Sequence, residues 1–224
     1  SKYMGIAATT FSIGDVPSIN FASGSKLVLL GIIFAALSML YIVAFETFSK
    51  FFKAVLKNQY LIMAVGGGIV ALLTLVLQSN EYLGTGISQI PDLLFVSAPW
   101  YVFLLKILFT AVSLGAGFKG GEIAPAMFVG ASLGSFLAPM FGLPIPLVVA
   151  CGMAAVFCGV TNSPITAIVF SVELFGASQI YYTMICVAVS YLISEYFSIY
   201  KTQKIMYSKY STTFINRKSH HIDT

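Results

Sequence analysis

The chain has 224 residues, of which 58% are hydrophobic and 9% charged, and its mean hydropathy is +0.92. Soluble domains carry about 25% charged residues, so this chain has too few polar groups to cover a water-facing surface, and a soluble enzyme is excluded. Lys and Arg number 12 against 8 Asp and Glu, an excess too small and too dispersed for a nucleic-acid partner, and the fold class expected is an all-α integral membrane protein.

In chain order, residues 1–25 mix Ser, Thr, Gly and Pro and read as an extended lead-in. Ser1 to Asp15 show no basic region followed by an apolar run, so no signal peptide is expected. Leu27 to Ala44 is the first strong helical span, closed by Glu46, Lys50 and Lys53. Tyr60 to Leu77 is the second and carries Gly66, Gly67 and Gly68, which permit close helix packing or a bend. Glu81 to Gly86 breaks the pattern. Leu93 to Gly115 then reads as one long apolar run interrupted by Pro99 and Lys106.

Gly115 to Glu122 is a glycine-rich break holding two charges inside otherwise apolar sequence. A run from Pro125 to Met140 follows, then Leu147 to Val160. A second break falls at Thr161-Asn162-Ser163-Pro164, where a helix cap and first turn are expected. Ile165 to Leu174 and Ile180 to Phe197 complete the pattern. Residues 26–200 are the expected membrane domain and 201–224 a basic polar tail. Lys201, Lys204, Lys209, Arg217 and Lys218 in that region, and Lys50, Lys53 and Lys57, are expected on the cytoplasmic side by the positive-inside bias. His220 and His221 are given no role. Cys151, Cys158 and Cys186 sit in apolar runs as packing residues.

Several of these runs are shorter than the ~20 residues a spanning helix requires. Short, interrupted apolar segments are the pattern of broken or re-entrant helices, which are tolerated at membrane depth where they are buried in protein or line a cavity. Transporters place ligand sites at such breaks. The physics therefore favours a transporter or channel over a membrane anchor. Nothing in the sequence forms a nucleophile–base pair, a metal cluster or a phosphate loop, so no enzyme activity, metal or cofactor is expected.

Gly120-Gly121-Glu122-Ile123-Ala124-Pro125 carries the chemistry. The glycines let the backbone turn sharply and approach a ligand, and Pro125 suits the first turn of a helix. The amides of Glu122, Ile123 and Ala124 are then unpaired donors at the positive end of a helix dipole, an anion site made of backbone. The alternative is a capped helix start in which Glu122 only favours the dipole. Spacing does not separate the two.

The run GFKGGEIAPAMFVGASLGSFLAP resembles the C-terminal half of CLC anion channels and transporters, in which a glycine-rich element begins a helix whose amides hold the central anion. TNSPITAIVFSVELFG, Thr161 to Gly176, resembles a second segment of that family. Ser198-Ile199-Tyr200 resembles the region whose tyrosine hydroxyl reaches the anion, and EYLGTGISQI, Glu81 to Ile90, matches a weaker one. The resemblance implies a fold of broken and re-entrant helices forming the second half of an inverted repeat. Its implied anion-binding residues are Gly120, Gly121, Glu122, Ile123, Ala124 and Tyr200.

Ordinary CLC proteins have an apolar residue at the position of Glu122 and Phe at that of Ile123. GGE preceded by GFK looks like the CLC-F branch, the bacterial fluoride/proton antiporters, where this glutamate is implicated in coupling. A carboxylate beside an anion site is repelled and desolvated, which favours its protonated form. Protonated, it donates a hydrogen bond to fluoride; deprotonated, it repels the anion.

The resemblance thus implies fluoride export in exchange for protons across a bacterial plasma membrane by a homodimer, with a chloride-type exchanger or channel as the alternative within transport. Neither the GREG-like loop nor the GSGIP-like segment of the first half is present. A complementary N-terminal half is therefore an expected partner, the chain being a fragment or one part of a split transporter. A non-transporting half-CLC subunit is the alternative outside transport.

Overall fold

The computed structural model describes residues 11–219 except 12, 15, 19, 195 and 201. Among these, eight helices precede a two-stranded hairpin. They are α1 (Phe21–Val55), α2 (Gln59–Leu77), the single turn α3 (Ile90–Leu93), α4 (Val102–Gly115), α5 (Ile123–Phe141), α6 (Ile145–Thr161), α7 (Pro164–Phe175) and α8 (Ile180–Ile193), followed by β1 (Lys204–Tyr207) and β2 (Phe214–Lys218). Three of them, α1, α2 and α5, are long and apolar enough to cross a membrane. The remaining apolar helices have 12 to 17 residues, as expected of broken spans.

Helix α1 is longer than the apolar run that announces it. It begins at Phe21, within the expected lead-in, where the Asn20 amide donates to Ser23 Oγ at 2.8 Å. It also continues past Glu46 and Lys50 to Val55, because isolated charges do not end a helix and Lys53 in its last turn suits the dipole. Described residues of the lead-in dock onto the far end of the chain. The Phe11 amide donates to the Leu174 carbonyl at 2.7 Å, and the Tyr182 hydroxyl to the Pro17 carbonyl at 2.7 Å.

The expected continuous span from Leu93 to Gly115 is broken. Helix α4 starts only at Val102, after a non-helical stretch around Pro99. Proline supplies no amide and disfavours helical backbone in the residue before it. The exposed polar groups of that stretch are satisfied from α5: Ser135 Oγ donates to the Val96 carbonyl at 2.8 Å and accepts from the Ala98 amide at 3.1 Å.

The core is built on close backbone approaches. Helices α5 and α6 are joined by the short turn Gly142-Leu143-Pro144, with Gly142 at φ +61°. They run antiparallel, and Gly130 meets Gly152 backbone to backbone. One turn away, a Cβ on Gly134 would lie 2.7 Å from the Val148 carbonyl oxygen. On α2, Gly66 lies against the Ala116 side chain, so the first of the three consecutive glycines serves close packing.

Helix α1 lies alongside α6 and α8. Phe34 packs on Gly152 and Ser38 on Gly159, while Leu27 and Gly31 meet Cys186 and Val189. Sequence numbers rise together in both pairings, so α1 is parallel to α6 and to α8. The lysines at the end of α1 and those described after α8 consequently share one end of the protein. Cys151, Cys158 and Cys186 are buried, free and packed among apolar neighbours.

The tail departs from a purely helical pattern: β1 and β2 pair antiparallel, with Lys204 opposite Lys218 and Tyr207 opposite Phe214. His220 and His221 lie outside the described residues. Gly152→Val forces a branched side chain into the α5–α6–α1 contact and is expected to destabilise the protein by roughly 1–3 kcal/mol or more. Thermal melting in detergent checks it, with Gly68→Ala, at a position open to its surroundings, expected to melt like the parent.

Candidate functional site

Helix α5 begins where the motif predicted. Gly120 and Gly121 are exposed and non-helical, Glu122 is the N-cap residue, and Ile123, Ala124 and Pro125 form the first turn. Pro125 is thus the third helical residue rather than the first, still at a position whose amide finds no acceptor within the helix. Ile123 and Ala124 therefore offer amides to a ligand, and Pro125 closes the set. The Glu122 side chain makes no capping hydrogen bond to its own helix, and a glutamate at this position favours the helix dipole in either reading of the motif.

The depth of this helix start is fixed by α1. The buried Tyr41 hydroxyl donates to the Glu122 backbone carbonyl at 2.8 Å, and Tyr41 lies within the Leu27–Ala44 apolar stretch of α1. The positive end of α5 is thereby held beside the apolar stretch of α1. A buried tyrosine requires a partner for its hydroxyl, but sequence alone did not single out Tyr41, because nothing in α1 announces which carbonyl it will meet.

Tyr200 approaches the same end from a different element. The register that pairs Gly130 with Gly152 and Gly134 with Val148 sets Glu122 level with Val160 when carried two turns further. The Val160 carbonyl accepts the Ile199 amide at 3.0 Å, so the Ser198-Ile199-Tyr200 segment sits at the level of the α5 start. The Tyr200 side chain is half exposed, at 44%. Glu122, Ile123, Ala124 and Tyr200 are thus gathered at one end of the α5–α6 hairpin.

A cavity of about 180 Å³ opens beside this end. Leu83, Gly84 and Thr85 of the loop after α2 form one wall, and Lys119, Gly120, Gly121 and Pro125 line the opposite side. Lys119, exposed at the rim, contributes positive charge where an anion would approach. The weak EYLGTGISQI match therefore finds a place as the wall facing the motif.

That wall is held by Lys106, which sequence reading registered only as an interruption of an apolar run. Its side chain is fully buried. The ammonium donates to the carbonyls of Gly84 at 3.0 Å and Tyr82 at 3.1 Å, with Leu83 at 3.5 Å, and lies 5.1 Å from the centre of the Phe128 ring on α5. Ionisable residues inside membrane segments are rare and tied to a partner, and that rarity was the available signal. Elsewhere, Ser163 occupies the N-cap of α7 with Pro164 as its first residue, as expected, while Asn162 takes the left-handed backbone that ends α6. Among the described residues no cluster of metal-ligating side chains is found.

Three comparisons bear on this arrangement. Residues 1–195 match the family model described as voltage gated chloride channel. The chain is 36% identical over 213 residues to a chloride/fluoride channel protein of Pseudomonas syringae pv. tomato, covering 92% of this chain and 47% of that one. It is 33% identical over 130 residues to the voltage-gated ClC-type chloride channel ClcB of Salmonella typhimurium, covering 53% and 30%. Its structure superimposes on the crystal structure of a CLC-type fluoride/proton antiporter with a TM-score of 0.83 and 31% identity, covering 89% of this chain and 51% of that one. The chain belongs to the voltage-gated chloride channel (CLC) family and has the helical membrane fold of that family. It spans about half the length of the relatives it matches most fully.

Replacing Lys106 by Met removes the donor shared by three loop carbonyls. The expected loss is about 1–3 kcal/mol, the penalty for unsatisfied buried polar groups, measured as a lower melting temperature. Arg at the same position, which keeps the charge and the donors, is expected to restore most of it.

Proposed function

We propose that this member of the CLC family forms part of a fluoride/proton antiporter that exports fluoride in exchange for entering protons. The observation that carries the reading is the start of α5: two glycines, a carboxylate at the N-cap and two helical amides without intrahelical acceptors, set against the apolar stretch of α1. Amides at a helix N-terminus favour an anion by geometry and by the helix dipole. A glutamate in the same turn adds a group that carries a proton and changes sign of action when it does. The similar antiporter structure and the Pseudomonas protein, both named for fluoride, support the choice of substrate.

The chemistry proceeds from these groups alone. Fluoride is small and a strong hydrogen-bond acceptor, so it gains most from short donors: the Ile123 and Ala124 amides, the Tyr200 hydroxyl and a protonated Glu122. Loss of the Glu122 proton replaces a donor with a like charge and expels the anion. Proton and fluoride occupancy are linked through one side chain, and linkage is reciprocal: acid pH tightens fluoride binding, and fluoride tightens proton binding. Gly120 and Gly121 contribute by admitting the ion close to the backbone.

The residues of the complementary half complete the pathway, and the working assembly is a homodimer in a bacterial plasma membrane. A chloride-type exchanger or channel is the competing reading, supported by the ClcB relative, which is named as a chloride channel. Glu122 weighs against it, because the chloride-type members that the chain resembles have an apolar residue at that position.

The test uses the complete transporter in liposomes, with proton uptake driven by a fluoride gradient and chloride as control. Fluoride-driven uptake without a chloride response is expected; equal uptake with chloride would overturn the substrate assignment. Glu122→Gln, which keeps size and a donor but cannot release a proton, is expected to abolish fluoride-driven proton uptake and to flatten the pH dependence of fluoride binding. Normal coupling in that variant would sink the role given to Glu122. Tyr200→Phe is expected to weaken fluoride binding about tenfold, the loss of a hydrogen bond to a charged group, with coupling retained.

A further inference from the structure

The proposal that Tyr200 donates to the anion raises the question of what holds it there, since its segment follows α8 without helix or strand of its own. The backbone is fixed at its carbonyl, which accepts the Gln203 amide at 3.1 Å and the Ser219 hydroxyl at 2.9 Å. Ser219 stands just beyond β2 and is buried, and its own amide donates to the Gln203 carbonyl at 3.0 Å. The chain therefore leaves Tyr200, makes a hairpin and returns to hydrogen-bond the residue it left.

The other end of the hairpin is fastened to α8. Tyr191 and Leu192 lie in its last turn, where carbonyls have no intrahelical donor. The Lys209 ammonium donates to the Tyr191 carbonyl at 2.7 Å and sits 3.9 Å from the centre of the Tyr191 ring; the Tyr210 hydroxyl donates to the Leu192 carbonyl at 2.6 Å. A cation at a helix C-terminus is also favoured by the dipole. A third tether, from the Gln203 side-chain amide to the Thr161 carbonyl at 3.4 Å, joins the segment to the end of α6.

We infer that the β1–β2 hairpin is the positioning element of Tyr200, with Ser219 and Lys209 as its positioning residues: Ser219 fixes the Tyr200 backbone, and Lys209 fixes the hairpin to α8. Neither touches the anion. This rests on the reading that Tyr200 does.

The experiment measures the fluoride KM and the maximal rate of the complete transporter in liposomes for Ser219→Ala, Ser219→Thr, Lys209→Met, Tyr200→Phe and the double variant Tyr200→Phe/Ser219→Ala. Ser219→Ala and Lys209→Met are each expected to raise KM about two- to tenfold, the effect of one net hydrogen bond, with the maximal rate nearly unchanged. Ser219→Thr, which keeps the hydroxyl, restores the parent KM. In the Tyr200→Phe background Ser219→Ala adds nothing further, because the hairpin acts through the hydroxyl already removed. Unchanged KM in both single positioning variants, or the same increment with and without the Tyr200 hydroxyl, overturns the proposal while leaving the anion-contact role of Tyr200 standing. An unchanged KM in Tyr200→Phe itself overturns that role and this inference with it.

Discussion

A helix that starts against an apolar stretch presents amides that its own backbone cannot satisfy, and much of the surrounding structure holds that start in place. In hydrocarbon every backbone polar group needs a partner. Here the first turn of α5 has no capping hydrogen bond from its N-cap side chain, and Gly120, Gly121 and Pro125 on either side of it line a cavity. Tyr41 fixes the depth by bonding the Glu122 carbonyl, and the glycine contacts of α5 with α6 fix the axis.

Much of this was legible in the sequence because it was written in residues with few alternative uses. Two glycines and a glutamate before a proline in apolar sequence marked the start of α5, and the short apolar runs marked broken spans. The break before α4 was harder to read: Leu93 to Gly115 is apolar almost throughout, and only the contacts of Ser135 with the Val96 and Ala98 backbone make an extended stretch tolerable there. Serine on a distant helix gives no sign of that service. Lys106 was visible as a charge in the wrong place, but its partners are backbone carbonyls, which every residue has and no sequence pattern can nominate. The hairpin after α8 was hidden for a related reason, since its basic, polar residues are those of a solvated tail until the end carbonyls of α8 are seen to need donors.

The apolar surface also divides by purpose. Helix α6 is buried along nearly its whole length, while α2 exposes Tyr60, Leu72, Leu75 and Val76. A soluble protein would not leave such a face open, and a bilayer or a complementary membrane segment accepts it without loss. The hydropathy that excluded a soluble enzyme at the outset is therefore distributed unevenly, with an inner helix pair that provides geometry and outer helices that meet the surroundings.

The seam between α5 and α6 has a mechanical consequence. Where two glycine backbones touch, no side chain remains to rotate, compress or repack. A slide of one helix along the other by a single residue would drive a methyl or larger group into a carbonyl, and a rotation would do the same. The two helices therefore behave as one stiff strut, and any movement beside them has to come from parts that can turn about single bonds. In such a machine the fold is the bearing, and the side chains are what move.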